Sequence, residues 1–285
     1  MTGRPVLRRP VASKPGPRRG VPGRPVRRGR SIRRASAGLS PVRAGAALVL
    51  LLATAAIYGA ANSPAFAYAT LRVEGASLTA PNEVEATLDA VRGANLFRLA
   101  TDPLEAVLGE LRTVAAADVS VRLPDTLVVT LDERDPILVW RVGARRYLAD
   151  AEGTLFALVP DDPPATVESL PVVEDRRSAS VGLALGRRID TVDLDAATRL
   201  GSLTPADVGS EAERLAVLVT DTSGFLLRAR PAGWDAVFGF YTASLRTPEL
   251  IPGQVRLLRS LIENREDAIG RVTLADDRNG TYTTT

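Results

Sequence analysis

The chain has 285 residues, 45% hydrophobic and 24% charged, which is enough apolar material for one large or two small packed domains and too much for a wholly disordered protein. It contains no Cys and no His, and Lys14 is its one lysine, so thiol nucleophiles, disulfides, zinc sites of the usual kind, imidazole bases and amine catalysis are excluded from its body. The formal charge of +3 hides an asymmetry: residues 1–43 hold 13 Lys or Arg and no acid, leaving 23 basic residues against all 33 acids, a net of −10.

The basic arm, residues 1–43, is built of Pro, Gly, Arg and Ser, with the pairs Arg8-Arg9, Arg18-Arg19, Arg27-Arg28 and Arg33-Arg34. It has too little apolar surface to offset the entropy of ordering and reads as disordered. No aromatic residue is interleaved for base stacking, so no specific nucleic-acid partner is expected. Ala44–Ala61 follows, 18 residues without a charge. As a helix it spans about 27 Å, close to the hydrocarbon thickness of a bilayer. Asn62-Ser63-Pro64 ends it, which gives a transmembrane helix over 44–63. Arginines stay on the cytoplasmic side, which places the acidic body outside the cell membrane. Two rivals are a buried core helix and a signal peptide cleaved after Ala67, since Ala65-Phe66-Ala67 fits the small-residue cleavage pattern.

Beyond the run, Tyr68–Val73 alternates as a strand. Thr79, Pro81 and Glu83 open a helix carrying Val84, Leu88 and Val91, which Gly93 closes. Asp102-Pro103-Leu104-Glu105 reads as a helix cap with a reciprocal carboxylate, ahead of a stripe of Leu104, Val107, Leu108 and Leu111. Val119, Val121 and Leu123 alternate, Pro124-Asp125 turns, and Leu127, Val129 and Leu131 alternate again. The order is β-α-α-β-β.

The stretch Asp118–Pro136, with Pro124-Asp125 and Glu133-Arg134, resembles the polypeptide-transport-associated (POTRA) domain of the FtsQ/DivIB family of bacterial division proteins. Leu71-Arg72-Val73-Glu74-Gly75 is similar to that family's entry strand, and Tyr147–Phe156 to the hairpin that opens its second domain. Taken alone, Pro124-Asp125 suits any tight hairpin, and Glu133-Arg134 could be two solvated edge charges. The resemblance implies an α+β architecture: a disordered basic arm over 1–43, one transmembrane helix over 44–63, a POTRA domain over 66–136, and a mixed β domain with flanking helices over 137–285.

In that second part, Ile137–Val142, Arg145–Ala149, Leu155–Val159, Leu170–Val173, Leu215–Val219 and Gly224–Ala229 read as strands, and Leu194–Leu203 as a helix. Val255, Leu258, Leu261 and Ile262 recur on one face of a later helix. Arg271–Ala275 and Thr281–Thr285 then form a terminal hairpin around Asn279-Gly280, a favoured turn pair. The last strand is rich in β-branched residues and has no side-chain charge to blunt an open edge, so it invites another strand.

In the resembling family this region captures short membrane-anchored division partners by strand addition, which implies FtsB/DivIC-like and FtsL-like companions. Carried over by position, the binding residues would be Val272, Leu274, Asp276, Arg278 and Tyr282, with Leu261 and Arg265 on the adjoining helix. This chain departs from the family in carrying Gln254 in place of a Lys, and Thr273 and Ala275 in place of an Asp and an Arg. The stretch Trp234–Pro252 is also longer than the family pattern. The function implied is a non-catalytic, membrane-anchored scaffold that regulates septal peptidoglycan synthesis, with no cofactor and no metal. One alternative is an extracytoplasmic hydrolase using a carboxylate pair such as Asp150 and Glu152 or Asp276 and Asp277, although neighbours at i and i+2 share a strand face rather than span a cleft. Another is a different POTRA-type protein-binding module.

Overall fold

The structure is a computed structural model that describes residues 40–284. The disorder expected of the arm therefore falls on residues outside this range, apart from the last four, and Thr285 lies outside it too. Helix α1 (Pro41–Asn62) begins three residues before the expected start, because proline at the first helical position removes only an N–H that has no partner there. The Ser40 carbonyl accepts from Ala44 N at 2.9 Å. None of its residues is buried, and its 22 residues make a rod of about 33 Å, apolar on every side from Ala44 onward. At its end Asn62 Nδ2 donates to the Tyr58 carbonyl (2.8 Å), and the Ser63 hydroxyl accepts from Ala65 N (3.2 Å), capping a 3₁₀ turn over Pro64–Phe66.

The β-α-α-β-β order holds: β1 (Thr70–Glu74), α2 (Pro81–Leu88), α3 (Asp102–Leu108), β2 (Val114–Arg122) and β3 (Thr126–Glu133). The strands lie β1-β3-β2, with β1 parallel and β2 antiparallel to the central β3. Alternation along β3 turns Leu127, Val129 and Leu131 towards Val84, Leu88, Leu104 and Leu108 of the two helices, which closes the first core. Gly75 leaves β1 at φ +80, and a Cβ there would stand 2.2 Å from the Leu131 carbonyl oxygen, so no other residue fits.

The reciprocal cap expected at Asp102 does not form. Thr101 is the capping residue, Asp102 lies inside the helix and makes no capping bond, and Glu105 instead accepts from Val119 N (3.1 Å) on β2. The reason is tertiary: α3 packs on β2, and the Glu105 carboxylate satisfies a strand amide rather than its own helix end.

The second sheet is built from β4 (Leu138–Val142), β5 (Arg145–Ala149), β6 (Leu155–Leu158), the single turn α4 (Ala165–Glu168), β7 (Val172–Asp175), α5 (Thr191–Gly201), β8 (Arg214–Thr220), β9 (Gly224–Arg230), β10 (Asp235–Gly239), α6 (Ile251–Ile262), β11 (Ile269–Leu274) and β12 (Gly280–Thr284). Its nine strands run β12-β11-β10-β9-β8-β7-β4-β5-β6. Three pairs, β4/β7, β7/β8 and β10/β11, are parallel, so each needs a crossover, and α5 and α6 supply the last two on one face. Strand β10 was not anticipated. Its Ala236 and Phe238 face the helices while Val237 packs with Leu218 and Leu226 on the opposite face, so burial on both sides erases the polar alternation that marks a strand.

At the heart of the second core sits Asp175, which accepts from Trp140 Nε1 (3.2 Å), Ser180 Oγ (2.6 Å) and both Nε and Nη2 of Arg177 (3.0 and 2.8 Å). Burial alone would raise its pKa, but these donors outweigh it and hold the carboxyl below the ordinary range. On the far face Val139, Leu148, Phe156 and Val167 form a separate cluster that Leu78 of the first part joins.

The pair Glu133-Arg134 has partners, so it is not a pair of solvated edge charges. Glu133 accepts from Ser77 N (2.9 Å), Ser77 Oγ (2.6 Å), Leu78 N (2.9 Å) and Thr79 N (2.6 Å), while Arg134 Nη1 meets Asp150 Oδ2 at 3.1 Å. One residue thus fixes the loop after β1, and the next reaches into the second sheet.

Candidate partner-binding edge

Strand β12 ends the second sheet. It pairs with β11 through Ile269↔Thr284, Arg271↔Thr283, Val272↔Tyr282, Thr273↔Thr281 and Leu274↔Gly280. Its other side has no backbone partner among the described residues. Directly opposed residues share a face, so Gly280 and Tyr282 lie with Leu274 and Val272 on the α6 side, and Thr281 and Thr283 lie on the other. A Cβ at Gly280 would meet Leu257 Cδ2 and Leu261 Cδ1 at 3.3 Å, which shows how close α6 stands to the strand. Tyr282 is 44% exposed. Together Tyr282, Leu257 and Leu261 make an apolar ledge beside an open hydrogen-bonding edge.

The residues carried over from the family fall into three groups. Val272 and Leu274 point into the core on β11, a strand already paired on both sides, so their side chains support the edge from beneath. Leu261 and Tyr282 border the edge itself. Asp276, Arg278 and Arg265 lie in the loops at its two ends: Arg278 two residues before Gly280, and Arg265 ahead of the 3₁₀ turn Glu266–Ala268 that leads into β11, whose first residue, Ile269, pairs with Thr284. Neither arginine has an ion-pair partner among the described residues.

Asp276 works within the chain. It accepts from Arg278 N (2.8 Å), Asn279 N (2.6 Å) and Asn279 Nδ2 (2.7 Å), and these bonds, led by the Asn279 side chain, lower its pKa. The Asn279-Gly280 pair is accordingly not the two-residue turn expected. The loop is Ala275–Asn279, closed by Ala275 N donating to the Asn279 carbonyl (2.8 Å), and Gly280 is already strand. The carboxylate of Asp276 organises a wider turn than the dipeptide alone would.

Sequence reasoning missed the scaffold behind the edge. Gln254, fully buried on α6, donates through Nε2 to the carbonyls of Phe238 and Leu274 (both 3.2 Å) and accepts from Tyr241 OH (2.7 Å). Arg246 reaches the same place from the β10–α6 loop, with Nη2 donating to Phe238 O (2.6 Å) and Leu274 O (2.9 Å) and Nη1 to Ala275 O. The Gln254 amide and the Arg246 guanidinium thus share the carbonyls of Phe238 and Leu274, and Arg246 brings the positive charge to this place. Burial pushes the Tyr241 hydroxyl up, so it stays a donor to Gln254. The long Trp234–Pro252 stretch was the available signal, since it contains both Arg246 and β10.

Of the acids considered for hydrolysis, Asp150 and Asp276 hold turns. Asp150 is buried and accepts from Glu152 N (3.1 Å) and Thr154 N (2.7 Å) besides Arg134, and Asp277 lies against Gly253, where a Cβ would stand 2.5 Å from its own. Among the described residues no group of three or more His, Cys, Asp or Glu could hold a metal ion.

An apolar span, a small three-stranded sheet with two helices, and a large sheet ending in an open edge define a membrane-anchored protein that works by binding other proteins. Residues 66–134 match the family model for the FtsQ-type POTRA domain. A cell division protein FtsQ of Streptomyces venezuelae is 30% identical over 219 residues, 75% of this chain and 77% of its own. That of Chloroflexus aurantiacus is 25% identical over 245 residues, 86% and 80% of the two chains, and that of Mycobacteroides abscessus is 32% identical over 101 residues, 35% and 32%. The chain belongs to the FtsQ family of cell division proteins. It is a single-pass membrane protein of the division site, and its POTRA domain serves interaction among proteins of the division machinery.

Proposed function

We propose that this protein is a non-catalytic scaffold that captures membrane-anchored division proteins at the edge of β12 and so governs septal peptidoglycan synthesis. The observation that carries this reading is the open edge: β12 offers a row of unpaired backbone groups, no charged side chain, and an apolar ledge of Tyr282, Leu257 and Leu261 beside it. An extended segment laid along β12 would gain main-chain hydrogen bonds, and alternate side chains would pack on the ledge. Arg265 and Arg278 flank the edge at either end, which favours a segment with acidic residues on both sides of an apolar centre. FtsB/DivIC-like and FtsL-like proteins fit this description as the partners.

In this reading the arm over 1–43 is cytoplasmic, the span over 44–63 crosses the inner membrane, and the POTRA domain (66–136) and β domain (137–285) lie outside it. The 13 positive charges on one flank of the span support that orientation. Leu261, Arg265, Arg278 and Tyr282 would contact the partner, while Val272, Leu274 and Asp276 hold the strand and turn in register. The test is copurification of partners from membranes with the full chain carrying Tyr282→Asp or Thr283→Asp. Capture should fall at least tenfold for Tyr282→Asp, about 1.4 kcal/mol or more. Undiminished capture by both variants contradicts strand addition.

A further inference from the structure

The geometry around Asn95 points to a second membrane contact: we infer that the loop Asn95–Arg98 of the POTRA domain seats Phe97 and Arg98 in the lipid headgroup layer where α1 leaves the bilayer. Asn95 Nδ2 donates to two carbonyls at the end of the span, Ala60 O (3.1 Å) and Ser63 O (3.0 Å). Its Oδ1 accepts from Phe97 N (3.0 Å). One side chain thus clasps the helix end, adding a bond to two carbonyls that also accept from Ser63 N (3.2 Å) and Phe66 N (3.3 Å), and sets the backbone that presents Phe97.

The loop is pinned on its other side as well. Leu96 N donates to Phe66 O and Tyr68 N to Ala94 O, both at 2.8 Å, and Ala67 and Asn95 form an isolated bridge. A loop bonded to residues 60 and 63 lies within about one helical turn, roughly 5 Å, of the rod's end. That is the headgroup region if the rod fills the hydrocarbon.

The residues placed there have interfacial chemistry. Phe97 is 51% exposed, with its ring edge-on to Phe66 at 4.8 Å between centroids. A large aromatic held open to water is unfavourable, whereas at a headgroup boundary the same ring is stabilised. Arg98, beside it, is exposed with no ion pair among the described residues and can meet lipid phosphate. Tyr58, one turn before the end of α1, is the kind of residue that marks the same boundary on the helix. The inference rests on α1 spanning the membrane and not on its orientation or on capture at β12.

The chain has no Cys, so single spin labels can be placed without background. Full-length protein in nanodiscs of phosphatidylethanolamine and phosphatidylglycerol would carry labels at Phe97→Cys or Arg98→Cys. Ile57→Cys serves as the lipid reference and the highly exposed Leu245→Cys as the water reference. Collision with oxygen relative to an aqueous nickel chelate should be several-fold higher at 97 and 98 than at 245, and lower than at 57. Adding Asn95→Ala should bring position 98 towards the water reference. Labels at both 97 and 98 that match 245 would overturn the inference, as would a position 98 that does not respond to Asn95→Ala, since the clasp would then set nothing. Shielding from both reagents would identify protein cover instead of lipid and would equally overturn it.

Discussion

The two edges of the nine-stranded sheet are treated in opposite ways. At the β6 edge the chain returns to cover itself: Leu155 N donates to Arg187 O and Gly186 N to Leu155 O (2.9 and 2.8 Å), Ile189 N donates to Gly153 O (2.9 Å), and Thr154 bridges Arg188. At the β12 edge no comparable segment is laid down among the described residues, and four threonines and a tyrosine follow Gly280 without a charge. An edge left bare is an aggregation hazard, and the contrast between a strapped edge and one open among the described residues is what the capture proposed at β12 would exploit. Stability and binding should therefore separate along the sheet.

The largest expected effect lies beneath the open edge. Leu274→Ala removes a buried side chain that meets the second core and should cost about 2–5 kcal/mol of unfolding free energy. Denaturant titration of the full chain in detergent checks this, and a loss below about 1 kcal/mol would mean that β11 is not rigidly built into the sheet. The strapped edge comes next. Gly153 has φ +79, and a Cβ there meets Ile189 O and Leu194 Cδ2 at 3.2 Å, so Gly153→Val should cost about 1–3 kcal/mol and loosen the strap. Sedimentation velocity should then detect self-association through β6, and a strictly monomeric variant would weaken the contrast between the edges.

A smaller effect belongs to the joint between the two sheets. Burial would raise the Glu133 pKa, but Ser77, Thr79 and Leu78 together hold it below its ordinary 4.5. A carboxyl lowered on folding adds stability that is full above its unfolded pKa and is lost as pH falls through the folded value. Glu174, Asp175 and Glu266 are lowered as well, so thermal stability should be flat above about pH 5 and fall in the region below 4.5. Glu133→Gln should cost about 1–2 kcal/mol at neutral pH and make the acid decline shallower, as followed by melting curves against pH. The smallest stability effect is expected at the open edge itself. Tyr282→Ala should stay within about 0.5–1 kcal/mol of the parent while partner capture drops, the reverse of a purely structural residue.

Much of this was readable before the fold. The uncharged run, the β-α-α-β-β order and the terminal hairpin rest on local periodicity and formed, although α1 starts three residues early and the hairpin closes through Ala275–Asn279 and not through Asn279-Gly280 alone. What escaped depends on distant residues. Glu105 looks like a capping partner in sequence because nothing local reveals that Val119 needs its carboxylate. Strand β10 was invisible because burial on both faces removes alternation, and Arg246 and Gln254 became meaningful only when β10 and β11 brought Phe238 O and Leu274 O together. Nothing local in the sequence shows that Val272 and Leu274 are buried on β11, a strand paired on both sides, so that they can only underlie the edge and not line it.

Strand addition at β12 is tested most directly by hydrogen exchange on the full chain in nanodiscs, with and without a bound FtsB/DivIC-like partner. The account predicts that the outward-facing amides of residues 280–284 gain strong protection on binding while those of β6 are unchanged. A partner that binds tightly and leaves the β12 amides exchanging at their free rates would contradict it.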